Sequence, residues 1–97
     1  MLPAPKETIA LELLSSGRAL YGLEMVRAAN GSLRRGTVYV LLDRMEAKGF
    51  ITSEVDRDTR LPGMPRRRYR ITGLGHRALA ARDSASNVLS SGPLLEV

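Results

Sequence analysis

The clearest hydrophobic pattern along the chain lies near its middle, where apolar residues recur at the spacing of a half-buried helix. Four residues follow this spacing and should face the core: Val38, Leu41, Leu42 and Met45. They predict a helix over about 35–48 that ends at Gly49, because glycine commonly terminates helices. Tyr39 and Val40 would then point away from the core.

The region before this helix predicts two shorter helices. The first covers about residues 6–16, and Leu11 widens its apolar arc beyond the stripe of about 100° that a surface helix needs. The second covers about 22–30 and stops at Asn30, which precedes a glycine. The surplus apolar surface on the first helix predicts a contact beyond the chain's own core.

After the third helix the pattern becomes alternating, which predicts two strands joined by a turn. The apolar residues Ile51 and Val55 in the first strand, and Tyr69 and Ile71 in the second, all have odd numbers. Side chains alternate between faces along a strand, so odd positions should face the core on both strands and fix the register. The tip, at about 58–65, contains two prolines and a glycine, as turns commonly do.

Thr72 is predicted to be the N-cap of a fourth helix from Gly73 to about Ser90, which the glycine and proline at 92–93 would end. Apolar positions along this helix repeat at spacings of 4, 3, 4 and 3, a heptad seam whose alanines permit close approach of another helix. The seam either packs on the first helix alone or forms a dimer interface, which we favour. The interface would comprise Leu11, Leu74, Ala78, Ala81, Ala85, Val88 and Leu89.

These elements predict a fold that is mainly α with a two-stranded β-hairpin. A chain of 97 residues makes at most one domain. We divide it into a winged helix-turn-helix over 6–72, a C-terminal dimerisation helix over 73–91 and a frayed tail over 92–97. In a fold of this kind the third helix enters a groove of DNA.

The basic charge is concentrated around the predicted hairpin. The net charge of the chain is +5, but residues 57–82 carry eight arginines and one acid, a net +7, against −2 for the remainder. Thirteen of the 15 bases are arginines, which suit bidentate contacts to phosphate and guanine better than lysines do. Double-stranded DNA is therefore the first candidate partner. RNA fits less well, because the chain has few aromatic residues on which bases could stack.

Composition argues against several other classes of function. There is no cysteine and only one histidine, so we expect no disulfide, no metal site, no cofactor and no enzyme activity. No apolar run approaches the ~20 residues that span a bilayer, and the N-terminus does not resemble a signal peptide. We expect a cytoplasmic protein that makes no contact with membrane.

The arginines of the hairpin have two interpretations. By parity, three arginines share the exposed face of the sheet with three acids: Arg66, Arg68 and Arg70 with Glu54, Asp56 and Asp58. Cross-strand pairs of this kind contribute about 0.2–1 kcal/mol each, so Arg68 and Arg70 could pair with these acids or contact DNA. The two interpretations are compatible, because the acids would also orient the arginines. Arg60 and Arg66, nearest the tip, are the better candidates for phosphate contacts. Arg67 should extend to the sheet edge from the core-facing side.

Several runs of residues resemble the PadR-like family of transcription regulators, in order and with the spacings intact over about residues 9–79. Near the start these are Leu13-Leu14, Gly17, Tyr21-Gly22 and Glu24-Met25. The run that resembles the recognition helix is Gly36-Thr37-Val38-Tyr39, Leu41-Leu42, Arg44-Met45-Glu46 and Gly49-Phe50-Ile51. The wing and the last helix are represented by Pro65-Arg66-Arg67, Tyr69-Arg70, Ile71-Thr72 and Gly75. Val40 departs from the family pattern, which usually has proline after the tyrosine.

The resemblance implies a bacterial or phage repressor with a winged-helix fold that acts as a homodimer. It places DNA contacts at Arg35, Thr37, Tyr39 and the wing arginines, and the dimer interface on the first and last helices. The single short C-terminal helix is similar to the small subclass of the family, which has no separate ligand-sensing domain. An effector, whether a small molecule or a protein, is left open.

The residues and the resemblance together predict a sequence-specific regulator that represses transcription from a palindromic operator. The candidate DNA contacts are Arg34, Arg35, Gly36, Thr37, Tyr39, Arg44, Arg60, Arg66 and Arg68. Thr37 could equally cap the third helix. The alternative belongs to a different class: a protein-interaction module in which Tyr39 and Val40 dock a protein partner and no specific DNA is bound.

Overall fold

The computed structural model describes residues 2–56 and 66–95, with side chains for 2–56 and 66–84. Within those residues there are four helices and three strands. Their bounds are α1 Pro5–Leu14, β1 Leu20–Tyr21, α2 Gly22–Ala28, α3 Val38–Ala47, β2 Ile51–Asp56, β3 Arg66–Ile71 and α4 Gly73–Leu95. The predicted wing tip, with its candidate contact Arg60, lies outside the described residues.

The three strands form one antiparallel sheet in the order β1-β3-β2, whereas the sequence predicts two strands. β1 has only two residues, too few to show the alternation that identifies a strand. The predicted register is confirmed, because Ser53 pairs with Tyr69 and Glu54 with Arg68. Leu20 pairs with Tyr69 from the other side, so β1 ties the connection between α1 and α2 to the wing.

The odd-numbered face of the sheet is buried only where other elements cover it. Ile51 and Tyr69 are buried as predicted, but Val55 is 43% exposed. Arg67, which pairs with Val55, is exposed and donates to the Ser53 hydroxyl at 3.2 Å. The expectation for Val55 is wrong because parity fixes the face of a side chain and does not decide whether another element covers it.

The core lies between the helices and the inner face of the sheet. Its buried residues are Ala10, Leu11, Leu14, Met25, Leu33, Val38, Leu42, Met45, Phe50, Ile51, Tyr69, Ala78 and Leu79. Leu11 is fully buried here, so the expectation that it faces a dimer partner is wrong. Both α3 and α4 pack on α1, and together with the sheet they bury Ala10, Leu11 and Leu14 of its apolar arc. Ala78 of the predicted seam is also buried in this cluster.

A buried ion pair holds the end of α3 against the start of α1. Lys48, the C-cap residue of α3, donates to the two carboxylate oxygens of Glu7 at 2.8 and 3.0 Å. Glu7 is 1% exposed and also accepts a hydrogen bond from the Ala4 backbone N–H at 2.8 Å. Removing one partner of such a pair leaves a buried charge, which is strongly destabilising. The pair therefore fixes how α3 lies on α1.

The start of α3 differs from the prediction. The helix begins at Val38, and residues 34–37 form a turn in which the Val38 N–H donates to the Arg34 carbonyl at 2.9 Å. Thr37 takes the N-cap position, but its hydroxyl makes no capping bond to α3, whose residues are all described. Gly49, with a φ of +83°, ends the helix as predicted.

The start of α4 matches the prediction and its end does not. The Thr72 hydroxyl accepts from the Gly75 N–H at 3.0 Å and donates to the Gly49 carbonyl at 2.6 Å, so it caps α4 and ties it to the end of α3. Gly75 lies against the Phe50 carbonyl oxygen, which a Cβ would approach to 2.2 Å. The helix continues to Leu95, so the predicted end at 92–93 is wrong. The φ that proline imposes lies within the helical range, so a proline does not by itself force the chain out of a helix.

Candidate nucleic-acid interface

The turn before α3 presents cations at the surface. Arg34, Arg35, Gly36 and Thr37 are all exposed, whereas Leu33 immediately before them is buried. The buried leucine anchors the turn, and the two guanidinium groups extend outward from it. Neither arginine forms an ion pair among the described residues. The candidate contacts at this end of α3 therefore share one exposed surface.

The outward face of α3 carries Tyr39 and Val40, as predicted, with exposures of 46% and 60%. The Tyr39 ring lies against Gly22 at the start of α2, where a Cβ would come within 2.7 Å of ring carbon Cε1. Glycine at this position lets the ring rest on α2 while half of it stays in solvent. One turn further along, Asp43 is exposed toward the wing and Arg44 toward α1.

A groove of about 550 Å³ separates α3 from the wing. Tyr39 and Asp43 border it on the α3 side, and Arg66 and Arg67 border it on the β3 side. The lining is completed by Tyr21, Gly22, Leu23 and Tyr69. Burial raises the pKa of Tyr69, and the nearby Asp43 raises it further, so this hydroxyl is neutral at ordinary pH. The two guanidinium groups make the groove suited to an anionic strand.

A smaller groove of about 320 Å³ lies on the other side of α3, toward α1. Every charged residue that lines it is basic, namely Lys6, Arg34 and Arg44. Val40 and Leu41 contribute apolar surface between these cations. Lys6 was missed by the sequence reasoning, because a single lysine in the first turn of a helix carries no pattern of its own.

The outer face of the sheet holds its arginines in defined contacts. Arg68 pairs with Asp56 at 3.2 Å, although Glu54 is the acid directly opposite Arg68 in the register. Arg70 instead donates to the carbonyl oxygen of Gly17 at 3.3 Å. Of the two interpretations of these arginines, pairing with an acid therefore holds for Arg68, while Arg70 fastens the wing to the end of α1.

Tyr21 lies at the centre of this outer face. Its ring centroid is 4.0 Å from Cζ of Arg66 and 4.9 Å from Cζ of Arg68, and its hydroxyl donates to Asp56. The Tyr21 hydroxyl raises the pKa of Arg68, and Asp56 raises it to a smaller extent. The sequence reasoning missed this role. The available signal was Glu24, three residues later, which accepts from the Tyr21 backbone N–H at 2.8 Å and so marks a helix start.

The predicted dimerisation residues fall into separate groups. Leu74 is 43% exposed and Ala81 is exposed, whereas Leu11 and Ala78 are buried within the chain. Three further members lie outside the residues whose side chains are described: Ala85, Val88 and Leu89. Within the described part of α4, the seam that faces solvent thus consists of Leu74 and Ala81.

The described part of the chain offers few residues for a metal site or a membrane-spanning helix. No three histidine, aspartate or glutamate side chains gather there where they could hold a metal ion. None of the helices within those residues has both the length and the apolar character needed to cross a bilayer. His76 is exposed in the first turn of α4. Arginines, Lys6 and tyrosines therefore dominate the chemistry of this surface.

Comparison with known proteins relates this fold to one family. The model of the transcriptional regulator PadR-like family matches residues 10–81. A PadR-like transcription factor from Bacteroides fragilis is similar over 94% of this chain and 88% of its own, with a TM-score of 0.80 and 22% identity. A PadR family transcriptional regulator from Eggerthella lenta is similar over 93% of this chain and 83% of its own, with a TM-score of 0.70 and 32% identity.

One further structural match was solved with a bound partner. Bacillus subtilis PadR, in complex with operator DNA, is similar over 77% of this chain and 44% of its own, with a TM-score of 0.67 and 21% identity. At that identity the likeness shows the fold alone. No protein of curated function matches the chain.

Proposed function

We propose that this chain, which belongs to the PadR-like family of transcriptional regulators, binds specific sequences of double-stranded DNA as a homodimer and represses transcription from a palindromic operator. The first turns of α3 enter the major groove, where base edges carry a distinguishable pattern of donors and acceptors. Arg34 and Arg35 of the preceding turn contact phosphates at the edge of that groove. The wing arginines and Lys6 hold phosphates beside that groove. Phosphate contacts supply most of the affinity, and contacts at the start of α3 supply specificity.

The observation that carries this proposal is the placement of cations on both sides of one exposed helix. Lys6, Arg34 and Arg44 border the groove toward α1, and Arg66 and Arg67 border the groove toward the wing. The major groove of DNA is about 12 Å wide and has a phosphate backbone along each edge. A helix flanked by two basic borders therefore matches both the shape and the charge of a major groove.

Residues on the outward face of α3 are the candidates for reading bases. Tyr39 extends from the helix with half of its ring exposed, and Gly22 holds the other half in place. A side chain held in one position loses less freedom when it binds than a mobile one does. Bacillus subtilis PadR, which shares the fold, was solved in complex with operator DNA, and this supports DNA as the partner here.

The dimer proposal rests on α4. This helix runs for 23 residues, and Ala78 and Leu79 near its beginning pack in the core. Leu74 and Ala81 face solvent along it at heptad spacing, and a small residue such as alanine allows another helix to approach closely. A two-fold dimer would place the two copies of α3 on half-sites about 10 bp apart, one turn of DNA.

Fluorescence anisotropy tests the proposal directly. The full chain is titrated onto duplex DNA from upstream of its own gene and onto scrambled DNA, each at a low and a high salt concentration. We expect a clear preference for the upstream DNA and a steep loss of affinity with salt, because each neutralised phosphate adds about 0.9 to the slope of log K against log salt. Weak binding that ignores both sequence and salt would reject DNA as the partner.

The exposed Tyr39 and Val40 give the alternative function its basis. An apolar residue that is 60% exposed in the centre of a basic surface could dock a protein partner. The affinity of such a module would change little with salt, because apolar burial is not screened by ions. The same titration therefore separates the two functions.

The dimer is tested by placing a charge on the seam. We expect Ala81→Glu to convert the dimer to a monomer, because two glutamates would face each other across closely packed helices. Ala80→Glu is the matched control, since Ala80 is the neighbouring exposed alanine but lies off the seam. Multi-angle light scattering measures the mass of each variant. A dimer that survives Ala81→Glu as well as it survives Ala80→Glu would rule out this seam as the interface.

A further inference from the structure

We propose that Tyr21 is a positioning residue for DNA binding, which holds the guanidinium groups of Arg66 and Arg68 as one fixed pair on the outer face of the sheet. The inference rests on the proposed function, and it assigns a role to a side chain that the sequence pattern gave no reason to select. Asp56 completes the cluster by accepting the hydrogen bond of the Tyr21 hydroxyl.

The contacts of Tyr21 converge on both arginines at once. The ring lies 4.0 Å from Cζ of Arg66 and 4.9 Å from Cζ of Arg68, distances at which a guanidinium is attracted to an aromatic face. Asp56 joins the Tyr21 hydroxyl and Arg68, which it contacts at 3.2 Å through the same oxygen, Oδ2. One aromatic ring and one carboxylate therefore determine where both cations lie.

The backbone of Tyr21 is fixed independently of its side chain. It belongs to β1, where it pairs with Arg68 of β3, and its N–H donates to Glu24 at 2.8 Å. Tyr21 is also the N-cap residue of α2, the helix on which Tyr39 rests through Gly22. The ring thus joins the helix-turn-helix to the wing and gives the two arginines a defined position relative to α3.

The position of the cluster beside the groove explains how the fixed pair of arginines would favour DNA binding. Tyr21 and Arg66 both line the groove between α3 and the wing, opposite Tyr39. A mobile arginine loses rotamer freedom when it binds a phosphate, and a preordered one loses less. The ring attracts the cations without neutralising them, and Asp56 neutralises at most one of the two. The pair therefore keeps net positive charge, and Arg66 presents it at the groove.

A double-mutant cycle on DNA affinity tests the proposal. Tyr21→Leu and Tyr21→Phe are each made in the natural chain and in a background that carries Arg66→Ala and Arg68→Ala. Binding to a random-sequence duplex is measured by fluorescence anisotropy, and thermal unfolding is measured alongside. If Tyr21 acts only through the arginines, Tyr21→Leu should weaken binding about tenfold in the natural chain and less than about twofold in the double-alanine background.

The hydroxyl and a structural control complete the design. Tyr21→Phe keeps the ring but loses the bond to Asp56, so a smaller loss of about threefold is expected, again absent in the double-alanine background. Tyr69→Phe removes a hydroxyl from the opposite face of the same sheet, and its effect on binding should be equal in both backgrounds.

Each outcome decides for or against the positioning role. Equal losses from Tyr21→Leu in the two backgrounds, or tighter binding by either Tyr21 variant, would overturn it. If Tyr21→Leu does not fold, Tyr21→Phe alone tests the proposal. The positioning role is then rejected if Tyr21→Phe loses no DNA affinity, or if its loss of affinity persists in the double-alanine background. Failure of the natural chain to bind DNA with a salt dependence would instead reject the proposed function itself.

Discussion

The two arginine clusters beside α3 differ in how they are held. Arg34 and Arg35 lie on an exposed turn, and neither forms an ion pair among the described residues. Arg66 and Arg68 lie on a strand, stack on Tyr21 and, in the case of Arg68, pair with Asp56. Both clusters carry two guanidinium groups, but among the described residues only the second is held by an aromatic ring and a carboxylate.

This difference indicates a division of work within one DNA interface. The turn cluster can follow the contour of a phosphate backbone and contributes its full charge, at the cost of the rotamer freedom lost on binding. The wing cluster contributes less net charge because Asp56 offsets part of it, but it is ordered before DNA arrives. Charge and order are therefore distributed between the two sides of α3.

The largest effect should come from removing the turn cluster. Replacing both Arg34 and Arg35 by alanine should weaken binding to specific and random DNA alike by about a hundredfold or more, since each hydrogen bond to a charged group contributes roughly 1.5–3 kcal/mol. The salt slope should fall by about two, one for each phosphate that is no longer neutralised.

Arg68→Ala is the matched variant for the wing cluster. Fluorescence anisotropy over a range of salt concentrations measures the DNA affinity of this variant and of the variant that lacks Arg34 and Arg35. Its salt slope should fall by less than about one, because Asp56 already offsets part of the charge of Arg68. The variant that lacks Arg34 and Arg35 gives a fall in salt slope per arginine. If the salt slope of Arg68→Ala falls by as much, the two clusters do not differ in the charge that they contribute.

A smaller effect should follow from disturbing the support of Tyr39 between the clusters. In Gly22→Ala, a Cβ would meet the Tyr39 ring at 2.7 Å, so overpacking should cost about 1–3 kcal/mol in the free energy of unfolding. Adding Tyr39→Ala removes the ring and should restore most of that loss. Urea denaturation of the two single variants and the double variant measures the coupling, and additive losses would show that the ring does not press on Gly22.

The smallest effect concerns Tyr69, which lies in the core on the inner face of β3 and should serve stability rather than DNA binding. Burial raises the pKa of Tyr69 in the folded chain, so its contribution is complete below the ordinary value of 10.0 and is lost as pH rises through the higher folded value. Urea denaturation at neutral pH and above about pH 10 should show a loss of stability that Tyr69→Phe reduces. An identical alkaline loss in the two proteins would assign it to another group.

The local patterns in the sequence were sufficient for the elements that repeat a pattern over several residues. The spacing of Val38, Leu42 and Met45 placed them in the core, and the odd numbers of Ile51 and Tyr69 gave the strand register. Thr72 was identified as a cap from its place before a helix. These features depend on neighbours a few positions away in the chain, which the sequence itself records.

Family resemblance extended this prediction to the end of α3 that is proposed to contact DNA. It singled out Tyr39, which the structure leaves half exposed, and it pointed to the turn that presents Arg34 and Arg35. Neither pattern nor resemblance selected Tyr21 or Lys6 as parts of the surface. Their roles come from residues far away in sequence, such as Asp56 for Tyr21 and Arg44 for Lys6.

The folded arrangement of the elements settles which apolar residues are covered and which charges meet. Leu11 is buried because two helices pack on α1, Val55 is exposed because no described element covers that end of the sheet, and β1 exists only because β3 lies beside it. The order of residues along the chain was enough to show where helices and strands could form and where positive charge accumulates. Burial and side-chain pairing depend on contacts between distant segments, and no local period encodes those contacts.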